Sequence, residues 1–155
     1  MIVYLDSSFV IRRLLGVGPS AAFWGKWEKA YASTLMRTEC YRAANHLRLS
    51  GKLDDAGRAR LGGWIETVCG AVTQIPVTDA VLKRAAEAYP VEVGTLQAIH
   101  LATMQELEAV HGVKCVLASD DEGLVRAAKA LGIAEAQEAP AATPTDAQPT
   151  AEAAS

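Results

Sequence analysis

No apolar run in the chain lasts long enough to span a bilayer, because polar residues interrupt each within a few positions, and Asp6 breaks the one N-terminal run that could imitate a signal peptide. Neither a membrane span nor an export segment is expected. Cysteine is scarce too: Cys40, Cys69 and Cys115 are odd in number, far apart, and lack the Cys-x-x-Cys spacing of zinc sites. That leaves reduced core thiols in a cytoplasmic protein. Nor does one sign of charge dominate, since 15 Lys/Arg face 18 Asp/Glu for a net charge of -3. The stretch from Gln137 to Ser155 carries Glu138, Asp146 and Glu152 and no base, so the rest of the chain is close to neutral.

What is present is an ordinary globular composition, 50% hydrophobic and 21% charged over 155 residues, enough for one domain with a real core. Within residues 1–60, ten Lys/Arg stand against five acids, so a polyanionic partner is allowed. Solvated helix faces explain the same excess without a partner.

Punctuation along the chain predicts alternating strands and helices. IVYL reads as a strand ending at Asp6, and FVIRRLL continues at helical spacing. Pro19 and Ser20 open a second helical stretch, AAFWGKWEKA; AYAST then leads to Ser33 or Thr34 as N-cap of LMRTECYRAANHLRL. Asp54 begins a long helical pattern, TQIPV follows as a short strand, and Thr78 or Asp79 caps AVLKRAAEAY, which stops at Pro90. A helix from Thr95 to about Val110 ends at Gly112, VKCVLAS is a strand, and EGLVRAAKALG is the last helix. The pattern predicts an α/β fold, a three-layer α/β/α arrangement around a central parallel sheet, over residues 1–136. Residues 137–155, rich in Ala, Pro and Thr, are expected to be a disordered acidic tail.

Carboxylates mark the ends of two strands: Asp6 closes the first, and Asp120 and Asp121 follow the last. Open parallel sheets gather ligands at such ends, although each acid could simply cap the next helix. Glu39 shares a helical face with Met36, Cys40 and Ala43, so it points inward; a surface ion pair with Arg42 is its bland alternative. Converging acids without a base would repel one another and lose their charge, which a divalent cation prevents. Oxygen donors favour a hard ion such as Mg2+ or Mn2+.

IVYLDSSFVIRRLLG, LMRTECYRA, GTLQAIHLAT and VLASDDEGLVRAAKALGI, in this order and at these separations, resemble PIN-domain ribonucleases, specifically VapC-type toxins of toxin-antitoxin pairs. The resemblance implies a PIN-like fold, RNA as substrate, a cognate antitoxin, a homodimer and a Mg2+ or Mn2+ cofactor. It implies that Asp6, Glu39 and Asp121 are the catalytic metal-binding acids, with Ser119 and Asp120 in support. Arg12, Arg13, Arg37 and Arg42 flank Asp6 and Glu39 and are candidates for RNA or antitoxin contacts. His100, on the same helical face as Gln97, reads as structural. An aromatic face carrying Trp24 and Trp27 is either core or interface.

One position departs from the family's pattern: where it has a third aspartate, in Thr-Leu-Asp-Ala-x-His, this chain has Gln97. Two readings follow. Gln97 is a weak ligand through its carbonyl oxygen or a water, leaving a weakened nuclease, or the domain is an inactive module that binds RNA or an antitoxin-type protein. A glutamine there could also serve only a neighbouring backbone group. Phosphoryl-transfer domains that begin with a strand-terminal aspartate fit poorly, because YLDSS has no second aspartate two residues after Asp6.

Overall fold

Alternation explains the first strand: in β1 (Ile2–Leu5), Val3 and Leu5 face one side of a sheet and Tyr4 the other, and all three are buried. The computed structural model describes residues 1–17 and 23–136, so the expected acidic tail lies outside the described residues. The elements that follow are α1 (Ser7–Leu14), β2 (Lys29–Ser33), α2 (Leu35–Leu49), α3 (Asp55–Ala71), β3 (Thr73–Ile75), α4 (Asp79–Ala85), α5 (Thr95–His111), β4 (Val116–Ala118) and α6 (Glu122–Ala130).

The four strands pair in the order β3-β2-β1-β4, every pair parallel. Helices cover both faces. On one side Val3, Leu5, Ala30 and Ala32 pack with Ile11 of α1, Met36 and Cys40 of α2, and Leu61 and Ile65 of α3. On the other, Tyr4, Tyr31 and Leu117 pack with Leu101, Met104 and Leu107 of α5 and Leu124 of α6. Each fully buried leucine or isoleucine in these two layers is worth about 1.5–3 kcal/mol relative to exposure. The three-layer architecture is the one the sequence led us to expect.

The helix boundaries follow their caps. Asp54 accepts from the Gly57 N–H at 2.6 Å and Thr78 from the Val81 N–H at 3.3 Å, while Gly112, at φ 64°, closes α5 in the left-handed conformation.

Two helical expectations fail. Of the stretch AAFWGKWEKA, residues 21 and 22 lie outside the described residues, but Phe23–Gly25 form a turn with Gly25 at φ 73°, and Lys29 and Ala30 already belong to β2. Parallel pairing of Ile2 with Lys29 and of Val3 with Ala30 wins over local helical periodicity there. The helix expected to reach Pro90 stops at Ala85, with Ala86 as its C-cap, before Tyr89 turns to the core. Tyr89 instead donates its hydroxyl to the Ala98 carbonyl at 3.1 Å and packs on the second core layer.

The strand order positions the site. From β1 the chain moves outward through β2 to β3, then crosses to the other side of β1 to form β4, so the connections leaving β1 and β4 diverge. At such a switch a crevice opens outside the carboxyl ends of the two strands. Asp6 follows β1 directly and Ser119–Asp121 follow β4. Among the described residues, no helix is long and apolar enough to cross a membrane.

Candidate functional site

Asp6 sits where the ladder between β1 and β4 ends: its N–H donates to the Ala118 carbonyl at 3.0 Å, which aims its side chain across the crevice. It is also the N-cap of α1. Its Oδ2 accepts from the Ser8 N–H at 3.2 Å, from the Ser8 hydroxyl and from the Ser119 hydroxyl at 2.9 Å. The capping and functional readings of Asp6 are therefore compatible, because Oδ1 is left to face His100 Nε2 at 3.5 Å. Asp6 is only 4% exposed, so its charge needs a partner.

Glu39 comes from the opposite helical layer. The inward face of α2 carries it to His100, whose Nε2 lies 3.1 Å from Glu39 Oε2, and its partner is this imidazole rather than the exposed Arg42. His100 projects from α5, is 2% exposed, and meets the Tyr4 hydroxyl through Nδ1 at 2.9 Å. One donor atom from each of Asp6, Glu39 and His100 can be chosen so that all lie within 4.8 Å of one another.

Electrostatics in this cluster follow from burial and charge. Burial of His100 works against its protonated form, but the hydrogen bond to Glu39 and the charges of Asp6, Glu39 and Asp121 outweigh it, so its pKa is raised. The imidazole therefore stands between two carboxylates that favour its protonated form. Cys40, next to Glu39, is buried, and burial, with Cys69, Glu39 and Asp6 adding to it, pushes its pKa up to about 12. All three cysteines are buried and free.

The acids after β4 split their roles. Asp120 N–H donates to the Ser8 hydroxyl at 3.0 Å, and the Asp120 carboxylate lies 3.7 Å from Arg12. Asp121 N–H donates to the Ser119 hydroxyl at 3.0 Å, and the Asp121 carboxylate caps α6 by accepting from the Leu124 N–H at 3.1 Å. Ser119 thus links Asp121 to Asp6. Gln97 is the other partner of Asp121: its amide nitrogen lies 3.0 and 2.9 Å from the two carboxylate oxygens. The carbonyl oxygen of Gln97 accepts from the Gly94 N–H at 2.9 Å, the half of a capping box that a glycine N-cap permits at the start of α5. Burial raises the pKa of Asp121, but the Gln97 amide and the Leu124 and Gly123 N–H groups more than reverse it, and the net direction is down.

The donor chemistry fits a divalent cation. Two carboxylates from different layers converge beside a buried imidazole. Asp121 is joined to this group through Ser119 but spends its own oxygens on Gln97 and the α6 backbone.

The candidate arginines are not equivalent. Arg12 stands at the mouth of the site beside Asp120, Arg13 lies over the Trp24 ring at 5.7 Å, and Arg37 is paired with Glu66. Trp24 belongs to a cluster with Phe9 at 5.8 Å and Trp27 at 5.4 Å, covering α1. Sequence reasoning passed over Ser8 and Tyr4, and over Arg126 and Lys129, which line a cleft of about 480 Å3 with Arg12, Ser119 and Asp120. The helical period of α5 put His100 on the same face as Gln97, and that face is the one that meets the acids.

No protein-family model matches the chain, and no curated protein matches it. Among solved structures, that of VapC20 from Mycobacterium tuberculosis, a sarcin-ricin loop cleaving toxin, is similar at a TM-score of 0.60 and 16% identity, covering 89% of this chain and all of that one. The fold expected from the resemblance to PIN-domain proteins of the VapC type is the fold that the chain has.

Proposed function

We propose that the protein is a metal-dependent endoribonuclease toxin of a toxin-antitoxin pair, acting on RNA phosphodiester bonds in the cytoplasm as a homodimer held in check by a cognate antitoxin. The observation that carries this reading is the convergence of Asp6 and Glu39, from a strand end and an inward helix face, at the switch point of a parallel sheet. Asp6 and Glu39 would hold Mg2+ or Mn2+, with Asp121 as the third acid. When bound, such an ion supplies positive charge to the phosphoryl oxygens and lowers the pKa of an attacking water.

The protein's own groups set up that chemistry. Ser8 and Ser119 fix one oxygen of Asp6 and leave the other directed into the crevice. His100, fixed by Tyr4, holds the Glu39 carboxylate in register with Asp6. Ser119 holds the loop after β4 against Asp6 through the Asp121 N–H. Arg12, at the mouth, and Arg126 are placed for backbone phosphates along the adjoining cleft, where Lys129 is already paired with Glu135 at 2.8 Å and Asp120 and Glu122 also line the wall. Arg37, paired with Glu66, and Arg13, over the Trp24 ring, do not line that cleft.

The competing reading, an inactive module that binds RNA or an antitoxin-type protein, rests on Gln97. Its contact with Asp121 leaves the Asp6–Glu39 pair untouched, so we favour a weakened enzyme over a dead one. Because the structurally similar VapC20 cleaves the sarcin-ricin loop, an RNA carrying that loop is the first substrate to test. Cleavage should require Mg2+ or Mn2+, stop with EDTA and be lost in Glu39→Gln. Cutting that persists without metal, or in Glu39→Gln, contradicts the proposal.

A further inference from the structure

The glutamine that replaces an acid in this chain has a second residue built around it. Gly123 is the second residue of α6, where alanine would favour the helix by roughly 1 kcal/mol, and its φ is not positive, so backbone conformation does not call for glycine. Space does. A Cβ at Gly123 would fall 2.5 Å from Gln97 Nε2, 3.4 Å from Gln97 Cδ and 3.1 Å from Asp121 Oδ1. The bare Cα is what admits the amide to the carboxylate.

The amide is held from both ends. Its nitrogen donates toward both oxygens of Asp121, at 3.0 and 2.9 Å, and its oxygen accepts from the Gly94 N–H at 2.9 Å. Reversing the amide would set an oxygen against a carboxylate and an NH2 against an N–H, so the chemistry fixes its orientation. Of the acceptor sites on Asp121, Oδ1 also takes the Leu124 N–H. An acid in position 97 could make none of these donations.

We propose that Gln97 and Gly123 form a latch on Asp121: the Gln97 amide, admitted by the missing Cβ of Gly123, occupies the Asp121 carboxylate and withholds it from a divalent cation held by Asp6 and Glu39. This rests on the metal-site reading above and adds to it which acid is restrained and by what. Gln97 is on this view a positioning residue that acts through Asp121. It weakens metal binding in two ways, by removing a charge and by engaging the charge next to it.

The latch makes an unusual demand: adding a methyl group outside the metal site should improve it. In Gly123→Ala the new Cβ must displace the Gln97 amide, which can move cheaply because it ends a flexible side chain. The released Asp121 should then tighten Mn2+ binding by about threefold or more, since a unit charge near the ion counts for several-fold even when well screened. Gln97→Leu, which removes the amide without touching α6, should tighten binding in the same direction. With Leu at 97, adding Gly123→Ala should bring no further tightening, because its Cβ then meets only the 97 side chain's carbons and Asp121 Oδ1, 3.1 Å away.

The test is Mn2+ binding followed by the electron paramagnetic resonance of the free ion, with no RNA present. The side-chain NH2 signals of Gln97 in 15N-resolved nuclear magnetic resonance spectra report the latch itself and should move in Gly123→Ala. Tightening in both single variants, absent from the second step of the double variant, supports the latch. If Asp6→Asn abolishes binding while Gly123→Ala and Gln97→Leu leave it unchanged or weaker, the metal site stands and the latch is wrong. If Asp6→Asn leaves Mn2+ binding intact, the metal-site reading falls and the latch falls with it.

Discussion

One imidazole bridges the two acids on which the site depends: His100 Nε2 lies 3.1 Å from Glu39 Oε2 and 3.5 Å from Asp6 Oδ1. Removing it without supplying a cation leaves two carboxylates facing each other in a largely buried place. His100→Leu should therefore cost about 3 kcal/mol of stability in metal-free buffer. Saturating Mn2+ should recover more of that stability in the variant than it adds to the original chain, because the ion supplies the positive charge that two facing carboxylates lack. Urea denaturation with and without Mn2+ checks this. Equal responses to the metal would mean that His100 only fills space.

The contact between Gln97 and Asp121 has a signature in acid. The folded-state pKa of Asp121 lies below its ordinary value, so the stabilisation it brings is complete above the unfolded-state pKa of about 3.9 and is lost as pH falls through the lower folded value. Gln97→Leu removes the largest of the interactions that lower that pKa. The gap in Tm between the two chains should accordingly be widest near neutral pH and narrow as pH falls through the folded-state value of Asp121. A gap that is the same at pH 7 and in strong acid would assign the cost to packing instead.

Gln97→Asp restores a charge at the acid position of the resemblance and frees Asp121 together. Mn2+ affinity and the rate of RNA cleavage at limiting Mn2+ should each rise about tenfold or more, as expected for a gain of at least 1.4 kcal/mol with the ion. Titrating Mn2+ in a cleavage assay measures both. If the rate falls while the metal affinity rises, the glutamine has a role in the reaction that this account does not give it.

Arg12, beside Asp120 in the cleft, and Arg37, paired with Glu66 outside it, should differ in their pull on RNA. Arg12→Ala should weaken RNA binding and lower the slope of log affinity against log salt by about one ion, whereas Arg37→Ala, which frees Glu66 as it removes a cation, should do less to the affinity per charge removed at the site. Filter binding in Ca2+ or EDTA, over a range of salt, separates them. Identical slopes for the two variants would remove Arg12 from the phosphate track.

Much of this was legible in the chain. Asp6 and the pair Asp120 and Asp121 announce themselves because they stand at strand ends before helices, with Asp121 preferred only through the resemblance, and Glu39 because helical spacing puts it inward with Met36 and Cys40. The strand β2 was harder to read, since KAYAS owes its extended form to pairing with β1, a contact between residues 27 positions apart that no local pattern contains. The role of His100 was underread for a similar reason: spacing gives its face, but that the face meets acids from the opposite layer is a property of the packed sheet. Gly123 could not be read at all, because its meaning is the distance from its absent Cβ to a side chain on another helix.

The central claim is that Asp6 and Glu39 hold a cation that hydrolyses RNA. The most direct measurement is cleavage of a sarcin-ricin loop RNA at millimolar Mn2+, comparing the original chain, Gln97→Asp and Asp6→Asn, with the ends of the fragments identified. The account expects slow cutting by the original chain, faster cutting by Gln97→Asp and none by Asp6→Asn, with a 3′ hydroxyl at the cut, as attack by water leaves when the 3′ oxygen departs. Cutting by Asp6→Asn at the original rate, or a 2′,3′-cyclic phosphate at the fragment ends, would contradict it.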